Sequence, residues 1–488
     1  MKKLLKADIL FYVILFGACV FVLLQSPLAP FAKRTNGVDS SVFIYSAQQI
    51  LDGQLMYKDI VDHKGPFLYF IDAMALFIFG GNFIGIWIFE VLSLFVASIM
   101  MFKTARLFAD KVSSLLAVVT AILFLVPLLV GGNLTEEWAL PYKSIALYIF
   151  VSYLKGNKPL DVFSLFILSF TFVLTFMIRA NLVAMWAGFG IVLLIKWIVE
   201  KRYSELIRSL SFLLLFVILS LLPFFLYFYI KGTLSDAIYL VFKYNMFEYA
   251  PSSNIKSLLK SVVNTLMGKK VHLSIIPVII ALYMFLRERT IVNVGILSAF
   301  VFTALVCSLG GRFFEHYFMI FAPLLVIPYA YIFAVMKENI PSAKYICLFI
   351  LFVFYSFTPI KSQAKAIRNN YSEKGYGLCT MLPATMEELK VVITQNTNPT
   401  DKILVKGNQC SVYLYSERKC ATRFPFPLGS SLSREHYVTD AEKALPKLII
   451  QGGIVNSWDG FSLETLLNEK YQLLETDIEN VEVWKLKE

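Results

Sequence analysis

The sequence predicts a polytopic α-helical membrane protein with about 11 membrane-spanning helices, interface helices in the first outer loop and a small α/β domain at the C-terminal end. Two observations predict this fold class. Hydrophobic residues make up 58% of the 488 residues and charged residues only 16%, whereas a soluble domain is nearer half apolar and a quarter charged. The apolar residues also form long runs, most of them close to the length that crosses a bilayer. These runs are residues 7–28, 84–102, 113–130, 138–154, 160–178, 181–199, 209–230, 271–286, 291–308, 316–336 and 342–359.

The sidedness of these helices depends on a shorter apolar run, residues 66–79, which contains Asp72 and precedes Gly80. This run is shorter than the ~20 residues that a spanning helix needs, so we expect it to form an interface helix on the outer surface. With a cytoplasmic N-terminus, every turn predicted to be cytoplasmic then carries lysine or arginine, as the positive-inside rule requires. These basic residues are Lys103, Arg106 and Lys111, Lys155 and Lys158, Lys201, Arg202 and Arg208, Arg287 and Arg289, and Lys337 and Lys344.

Two segments bear on this topology. The long outer loop at residues 231–270 departs from the positive-inside rule because it also carries lysines, which face either anionic lipid headgroups or solvent. The first apolar run has the length of a signal peptide but lacks a small-residue cleavage site, which favours a retained first helix. The sequence therefore predicts a multi-pass protein of the cell membrane with a cytoplasmic N-terminus.

From about residue 361 the composition is that of a soluble domain. We therefore divide the chain into a membrane domain, residues 1–360, with its first outer loop at 31–83, and an extracytoplasmic α/β domain, residues 361–488. Outside the cytoplasm Cys410 and Cys420 could form a disulfide, but a third cysteine, Cys379, leaves two other pairings open. A helical pattern at 383–395 precedes short apolar runs that favour strands. These runs are Ile403–Val405, Val412–Tyr415, Leu448–Ile450 and Val481–Leu486.

Acids, cations and histidines gather at four outer turns of this topology, whereas most inner turns supply only basic residues. Charged side chains at membrane depth are costly and usually functional. Each one also has an ordinary interpretation: Asp39 as the N-cap of a helix from Ser40, acids at a helix start, or Arg179 extending to the interface. Together they predict a site on the outer face. Its candidate residues are Asp39, His63 and Lys64, Glu136 and Glu137, Arg179, and Arg312, His316 and Tyr317.

This set of residues suits the transfer of a sugar from a lipid phosphate. Cations would stabilise the charge on the leaving phosphate, a role for Lys64, Arg179 and Arg312. A carboxylate would deprotonate the attacking hydroxyl, a role for Asp39 or for Glu136 or Glu137. The apolar helices would hold the polyprenyl tail. A transporter or flippase of lipid-linked sugars is the alternative, but transporters place their ionisable residues near the bilayer midplane, whereas here they lie at one boundary.

Residues 1 to about 335 resemble the membrane glycosyltransferases of superfamily C, in the branch of protein O-mannosyltransferases and lipid A aminoarabinose transferases. The resemblance implies a polyprenyl-phosphate-sugar donor, Asp39 as catalytic base, Glu136 or Glu137 as helper, and Lys64 near the donor phosphate. It also implies an exterior domain that helps to bind the acceptor. The motifs that carry the resemblance are Gly37-Val38-Asp39, His63-Lys64-Gly65-Pro66-Phe67-Leu68-Tyr69, Thr135-Glu136-Glu137 and Glu315-His316-Tyr317.

The sequence departs from this family in two places: Asp39-Ser40 stands where protein mannosyltransferases have Asp-Glu, and Lys64-Gly65-Pro66 stands where Lys-Pro-Pro is usual. These departures leave the acceptor open: a surface polymer, a glycolipid or a protein. We expect no cofactor, and the lack of a dense acidic cluster argues against an obligatory divalent metal. The net charge of +11 is explained by basic inner loops and membrane lipids, so we expect no nucleic-acid partner.

Overall fold

The structure, a computed structural model, describes residues 2–156, 160–249, 286–308, 314–339, 344–372, 383–426, 431–452 and 462–488, together with positions 256, 279, 282–284 and 428. Ten of the predicted apolar runs coincide with helices in this part of the chain, and one, residues 271–286, falls almost wholly outside it. Five of the described helices are long and apolar enough to cross a membrane, which confirms the multi-pass class. They are Ile84–Ala105, Ala180–Val199, Tyr203–Ile230, Glu315–Glu338 and Lys344–Asn370.

The described membrane part is built from α-helices, with short 3₁₀ segments at Ala180–Val183 and Glu315–Phe321 and a π-helical segment at Tyr239–Tyr249. The α-helices are α1 (Lys2–Leu23), α2 (Val38–Leu51), α3 (Pro66–Ile78), α4 (Ile84–Ala105), α5 (Lys111–Leu123), α6 (Thr135–Leu154), α7 (Val162–Ile178), α8 (Ala184–Val199), α9 (Tyr203–Ile230), α10 (Leu234–Ile238), α11 (Ile291–Ser308), α12 (Ala322–Asn339) and α13 (Lys344–Asn370).

The bundle packs through several helix pairs: α4 against α6, α5 against α12, α7 against α9, and α8 against α11. Only 6% of the apolar window of α9 is buried, as expected of a helix that faces lipid. Helix α5 is shorter than the run predicted at 113–130. It ends at Leu123, because the chain then turns and adopts left-handed conformations at Val130, Gly131, Gly132 and Asn133. This turn leads directly into α6 and places Asn133 inside the protein.

The soluble part follows α13, which continues past residue 360 to Asn370. Its five strands form one mixed sheet in the order β2-β1-β3-β5-β4, with β1 parallel to β2 and β3 and the other pairs antiparallel. Its elements are α14 (Pro383–Asn396), β1 (Lys402–Val405), α15 (Ser411–Ser416), β2 (Lys419–Cys420), α16 (Ser431–Ala444), β3 (Leu448–Gln451), α17 (Glu464–Lys470), β4 (Tyr471–Leu474) and β5 (Glu482–Leu486).

Three of the four predicted strands are confirmed as β1, β3 and β5. The strand predicted at Val412–Tyr415 is wrong, because these residues lie in the helix α15. Short apolar runs do not distinguish a strand from a buried helical turn, and here the Tyr413 hydroxyl accepts a hydrogen bond of 2.8 Å from the Val405 amide of β1. The α/β class of this domain is nevertheless confirmed.

The soluble domain packs directly on the first outer loop. The Cys420 amide donates to the Tyr45 hydroxyl of α2 at 2.8 Å, and the Val61 amide donates to the Arg423 carbonyl at 2.7 Å. The Tyr45 ring also lies 5.2 Å from the Tyr413 ring. These contacts position the edge of the sheet that carries β2 beside the loop that precedes α3.

Cys410 and Cys420 form no disulfide in the structure: both are free, buried thiols. The Cys410 thiol donates to the Pro425 carbonyl at 3.1 Å, and the Cys420 thiol lies 3.5 Å from the Phe424 carbonyl. Burial raises the pKa of both thiols. Both sulfurs therefore act as packed, weakly polar groups. Cys379 lies outside the described residues.

The C-terminal ends of α1 and α13 are joined by side-chain amides. Gln363 Nε2 donates to the Val22 carbonyl at 2.9 Å, and Asn370 Nδ2 donates to the carbonyls of Leu24 and Ser26 at 3.0 and 2.8 Å. Both amides satisfy backbone carbonyls at a helix end, which would otherwise lack partners. The first and last helices of the bundle are thereby neighbours where the first outer loop begins.

Candidate active site

Asp39 lies in the first turn of α2 and is half-buried. The N-cap of this helix is Gly37, and no side chain caps it. The interpretation of Asp39 as an N-cap is therefore wrong. Within the described part of the chain its carboxylate makes no hydrogen bond or ion pair. This free carboxylate remains able to accept a proton from a ligand.

Glu136, Arg179 and Tyr317 form one connected group, although 181 residues separate the first from the last. Arg179 Nη1 donates to Glu136 Oε1 at 2.8 Å, and Arg179 Nη2 donates to the Tyr317 hydroxyl at 2.6 Å. The guanidinium also lies 4.5 Å from the centre of the Tyr317 ring, a cation–π distance. The second carboxylate oxygen of Glu136 accepts from the Thr135 hydroxyl at 2.8 Å. Both oxygens of Glu136 are thus engaged, and Glu136 orients Arg179.

The turn before α3 contains a second charged group, centred on the fully buried Asp62. The Tyr69 hydroxyl donates to one carboxylate oxygen of Asp62 at 2.6 Å, and Lys64 Nζ lies 3.8 Å from the same oxygen. Burial alone would raise the pKa of Asp62, but the Lys64 charge and the hydrogen bonds lower it below its usual value. Asp62 is therefore an anion that holds Lys64 in place.

His63 is buried, and its pKa is lowered to about 3, chiefly because burial disfavours the charged imidazolium. The positive charges of Lys64 and Arg179 act in the same direction. The centre of the imidazole ring lies 5.7 Å from the centre of the Tyr244 ring. The backbone carbonyl of His63 accepts a hydrogen bond of 2.7 Å from the Asn245 side-chain amide. At neutral pH this histidine carries no charge, so the positive charge of the site comes from its lysine and arginine.

Gly65 brings the two charged groups together. Its amide donates to the Ile178 carbonyl at 3.0 Å, directly before Arg179. A Cβ at this position would lie only 2.1 Å from the Met177 carbonyl oxygen, so only glycine fits. This contact explains why the chain has Lys64-Gly65-Pro66 where the resembling family has Lys-Pro-Pro: a proline would lack the amide hydrogen and would clash.

Asp39 is linked to the turn of Lys64 through helix α2. Phe43 follows Asp39 by four residues on α2 and so shares its face of the helix. Lys64 Nζ lies 4.9 Å from the centre of the Phe43 ring. Lys64 therefore packs against the face of α2 that carries Asp39, and the Gly65 amide connects the same turn to the residue before Arg179.

A separate buried network surrounds Asn133, in the left-handed turn before α6. Its backbone amide donates to Glu90, and its side-chain amide donates to Asp72 at 2.9 Å and to Ser40 at 3.2 Å. The Trp138 indole donates to the Asn133 side-chain oxygen at 2.7 Å. Because Ser40 directly follows Asp39, the hydrogen bond from Asn133 ties the first turn of α2 to this network.

Glu137 belongs to this network rather than to the group around Arg179. Its carboxylate is buried close to Glu90, Asp72 and the backbone of Asn133 and Leu134. Of the two acids that the sequence left open, Glu136 faces the cations and Glu137 does not. Sequence reasoning missed Glu90, although a lone acid inside the apolar run 84–102 was a signal for it.

The remaining candidates take different positions. His316 stacks on Phe314, with 5.6 Å between ring centres, and meets the edge of Tyr317 at 4.9 Å. Arg312 lies outside the described residues. One cation was missed: Arg34, in the first outer loop, is 6% exposed and donates through Nε to the Asn369 carbonyl at 3.0 Å. Its two terminal nitrogens have no partner in the described part of the chain.

Comparisons with known proteins bear on the fold and the family. A family model for the N-terminal domain of the competence-induced protein Ccs4 matches residues 1–345. The chain belongs to this family. A search of curated proteins finds no match.

Solved structures extend the comparison of this Ccs4-family chain over its whole length. It is similar to ArnT from Cupriavidus metallidurans bound to undecaprenyl phosphate, with a TM-score of 0.68, 11% sequence identity and 97% of each chain covered. The apo state of the same ArnT gives a TM-score of 0.63 at the same identity and coverage. At this identity the similarity shows the fold, and it confirms the predicted architecture of a helical membrane part followed by a small C-terminal domain.

Proposed function

We propose that this protein transfers a sugar from a polyprenyl-phosphate donor to a hydroxyl group of a surface polymer, glycolipid or protein outside the cytoplasmic membrane. The observation that carries the proposal is the half-buried carboxylate of Asp39, unpaired in the described part of the chain, on the face of α2 against which Lys64 packs. The fold supports it, because the ArnT with which the chain shares that fold is bound to undecaprenyl phosphate.

In this proposal the acceptor oxygen attacks the anomeric carbon of the donor while the bond from that carbon to the phosphate oxygen breaks. Asp39 takes the proton of the attacking hydroxyl, as a general base must. The electron pair of the broken bond leaves with the polyprenyl phosphate, whose charge Lys64 and Arg179 stabilise. Glu136 and Tyr317 position Arg179 and do not touch the reacting atoms.

The positive charge for the phosphate comes from side chains in this scheme, so we propose that transfer needs no metal. EDTA should then leave turnover unchanged. The scheme also requires the first outer loop and the C-terminal domain to lie outside the cytoplasm. Because residue 72 is fully buried, the exposed residue 52 of the first outer loop is the better reporter: cysteine labelling should reach residue 52 only from outside and residue 106 only from inside.

The direct test uses the full-length protein in lipid nanodiscs with radiolabelled polyprenyl-phosphate sugars. Asp39→Asn should lower the release of polyprenyl phosphate about 10²–10⁴-fold, the usual contribution of a general base. The matched control is Asp236→Asn, because Asp236 is an exposed acid of α10. Unchanged turnover in Asp39→Asn, with the thermal unfolding temperature intact, would refute Asp39 as the base. Movement of the labelled lipid across the membrane without bond cleavage would support a flippase instead.

A further inference from the structure

A cleft of about 450 Å³ lies between the first outer loop and the edge of the C-terminal sheet. One wall is the second half of α2 with the turn that follows it, and the other is β1, β2 and residues 421–425. The Val61–Arg423 and Tyr45–Cys420 hydrogen bonds hold the two walls together. Val61 directly precedes Asp62, so the cleft opens beside the turn that carries Lys64.

The cleft is strongly basic. Lys58, Lys402, Lys419 and Arg423 line it, and Asp59 is the one acid among its lining residues. The Lys58 and Lys402 side chains are exposed and form no ion pair or hydrogen bond within the described ranges. An unpaired group of cations in a cleft attracts anions more strongly than isolated surface lysines do.

The other two cations are paired at the surface. Lys419 lies 2.8 Å from Asp52, and both side chains are about half exposed. Arg423 forms an ion pair of 2.9 Å with Asp440. Exposed pairs of this kind contribute little to stability, so Lys419 can exchange Asp52 for the anionic group of a ligand.

The uncharged lining matches carbohydrate better than lipid. Gln49 is 7% exposed and its side-chain amide makes no hydrogen bond in the part of the chain that the structure describes, and the same holds for the amide of Gln54. Amides donate to and accept from sugar hydroxyls. The aliphatic lining is limited to Ile60, Ala421 and Pro425, too little apolar surface to hold acyl chains.

We propose that this cleft binds an anionic glycan, a sugar or polyol polymer that carries phosphate groups, and that this glycan is the acceptor. The inference rests on the proposed function, because it names the chemical class of the acceptor for the same site. The phosphates bind Lys58, Lys402 and Lys419, and the sugar hydroxyls bind the two glutamines. A chain held there lies beside Val61, next to the turn that carries Lys64.

The test measures binding of a fluorescent poly(glycerol phosphate) oligomer to full-length protein in nanodiscs of neutral lipid. The double variant Lys58→Gln, Lys402→Gln should raise the Kd about tenfold or more, since hydrogen bonds to charged groups are the strong ones, and should flatten its salt dependence. Lys470→Gln is the control, because Lys470 borders β4 at the opposite edge of the sheet. Neutral dextran should bind at least tenfold more weakly than the oligomer.

Two further arms separate the alternatives. Equal affinity of wild type and double variant for the oligomer would overturn the inference. Binding to phosphatidylglycerol vesicles that depends on Lys58 and Lys402, without binding of the oligomer, would overturn it too and would assign the cleft to lipid. Asp39→Asn should bind the oligomer like wild type; if it also retained donor turnover, the proposed base would fail while the binding result stood.

Discussion

Replacement of Glu136 by glutamine tests whether Glu136 holds Arg179. Glutamine has the same shape but no charge, and the amide nitrogen that replaces one carboxylate oxygen cannot accept a hydrogen bond from Arg179 or from Thr135. Breaking a fully buried pair costs about 3–5 kcal/mol, and an exposed pair contributes ~1 kcal/mol or less. Because the Glu136 side chain is 1% exposed and that of Arg179 is 20% exposed, we expect Glu136→Gln to cost roughly 2–3 kcal/mol.

The assay is thermal unfolding of the protein in detergent, together with donor turnover. Glu137→Gln is a matched control: it lies one residue further along α6, is equally buried and faces Asn133 rather than Arg179. Since its carboxylate forms no ion pair among the described residues and lies near two other acids, Glu90 and Asp72, the control should leave the unfolding temperature unchanged or raise it. Glu136→Gln should lower both the unfolding temperature and turnover. Equal unfolding temperatures for the two variants would contradict the assigned ion pair.

Three further predictions concern neighbouring features. Gly65→Ala should lower the unfolding temperature far more than Gly190→Ala, because a Cβ at 65 meets a backbone oxygen at 2.1 Å whereas position 190 has open space; similar losses would contradict the close contact. His63 has a pKa of about 3 in the folded chain, so between pH 6.5 and about 3 only the unfolded chain protonates it. The free energy of unfolding should therefore fall by about 1.4 kcal/mol for each unit by which the pH is lowered in this range. His63→Gln should flatten this fall, measured as unfolding temperature against pH. Reductant should leave the unfolding temperature unchanged because Cys410 and Cys420 are thiols, and a fall would reveal a disulfide.

Most of the fold could be predicted from the sequence because its strongest signal is length. An uninterrupted apolar run such as residues 209–230 has few structures open to it in a bilayer, and it became α9. The same reasoning failed where the signal was short. Residues Val412–Tyr415 have the composition of a strand, yet they form a helix, because burial of Tyr413 against β1 outweighed local preference. The last apolar run, residues 342–359, also gave too early an end for its helix, since α13 continues as a polar helix to Asn370.

The sequence predicts which residues belong to the candidate site, but not which of them form hydrogen bonds and ion pairs with each other. Sidedness alone placed Glu136, Arg179 and Tyr317 on one face, and the structure joins them. Which of the adjacent acids Glu136 and Glu137 faces Arg179 depends on the rotation of α6. That rotation is set by the left-handed turn before α6 and by the packing of α6 against α4. Neither can be predicted from the apolar residues of α6 alone.

The amide contacts between α1 and α13 have a consequence for biosynthesis. Gln363 and Asn370 reach Val22, Leu24 and Ser26 across 341 to 346 residues of chain. At about 5–20 residues per second, translation adds this length in roughly 20–70 s. During that time the first helix is already in the bilayer, and the carbonyls of Val22, Leu24 and Ser26 lack these amide partners. The packing of α1 is therefore completed only when α13 has been made. A variant that lacks either amide should insert into the membrane normally but reach its folded state more slowly.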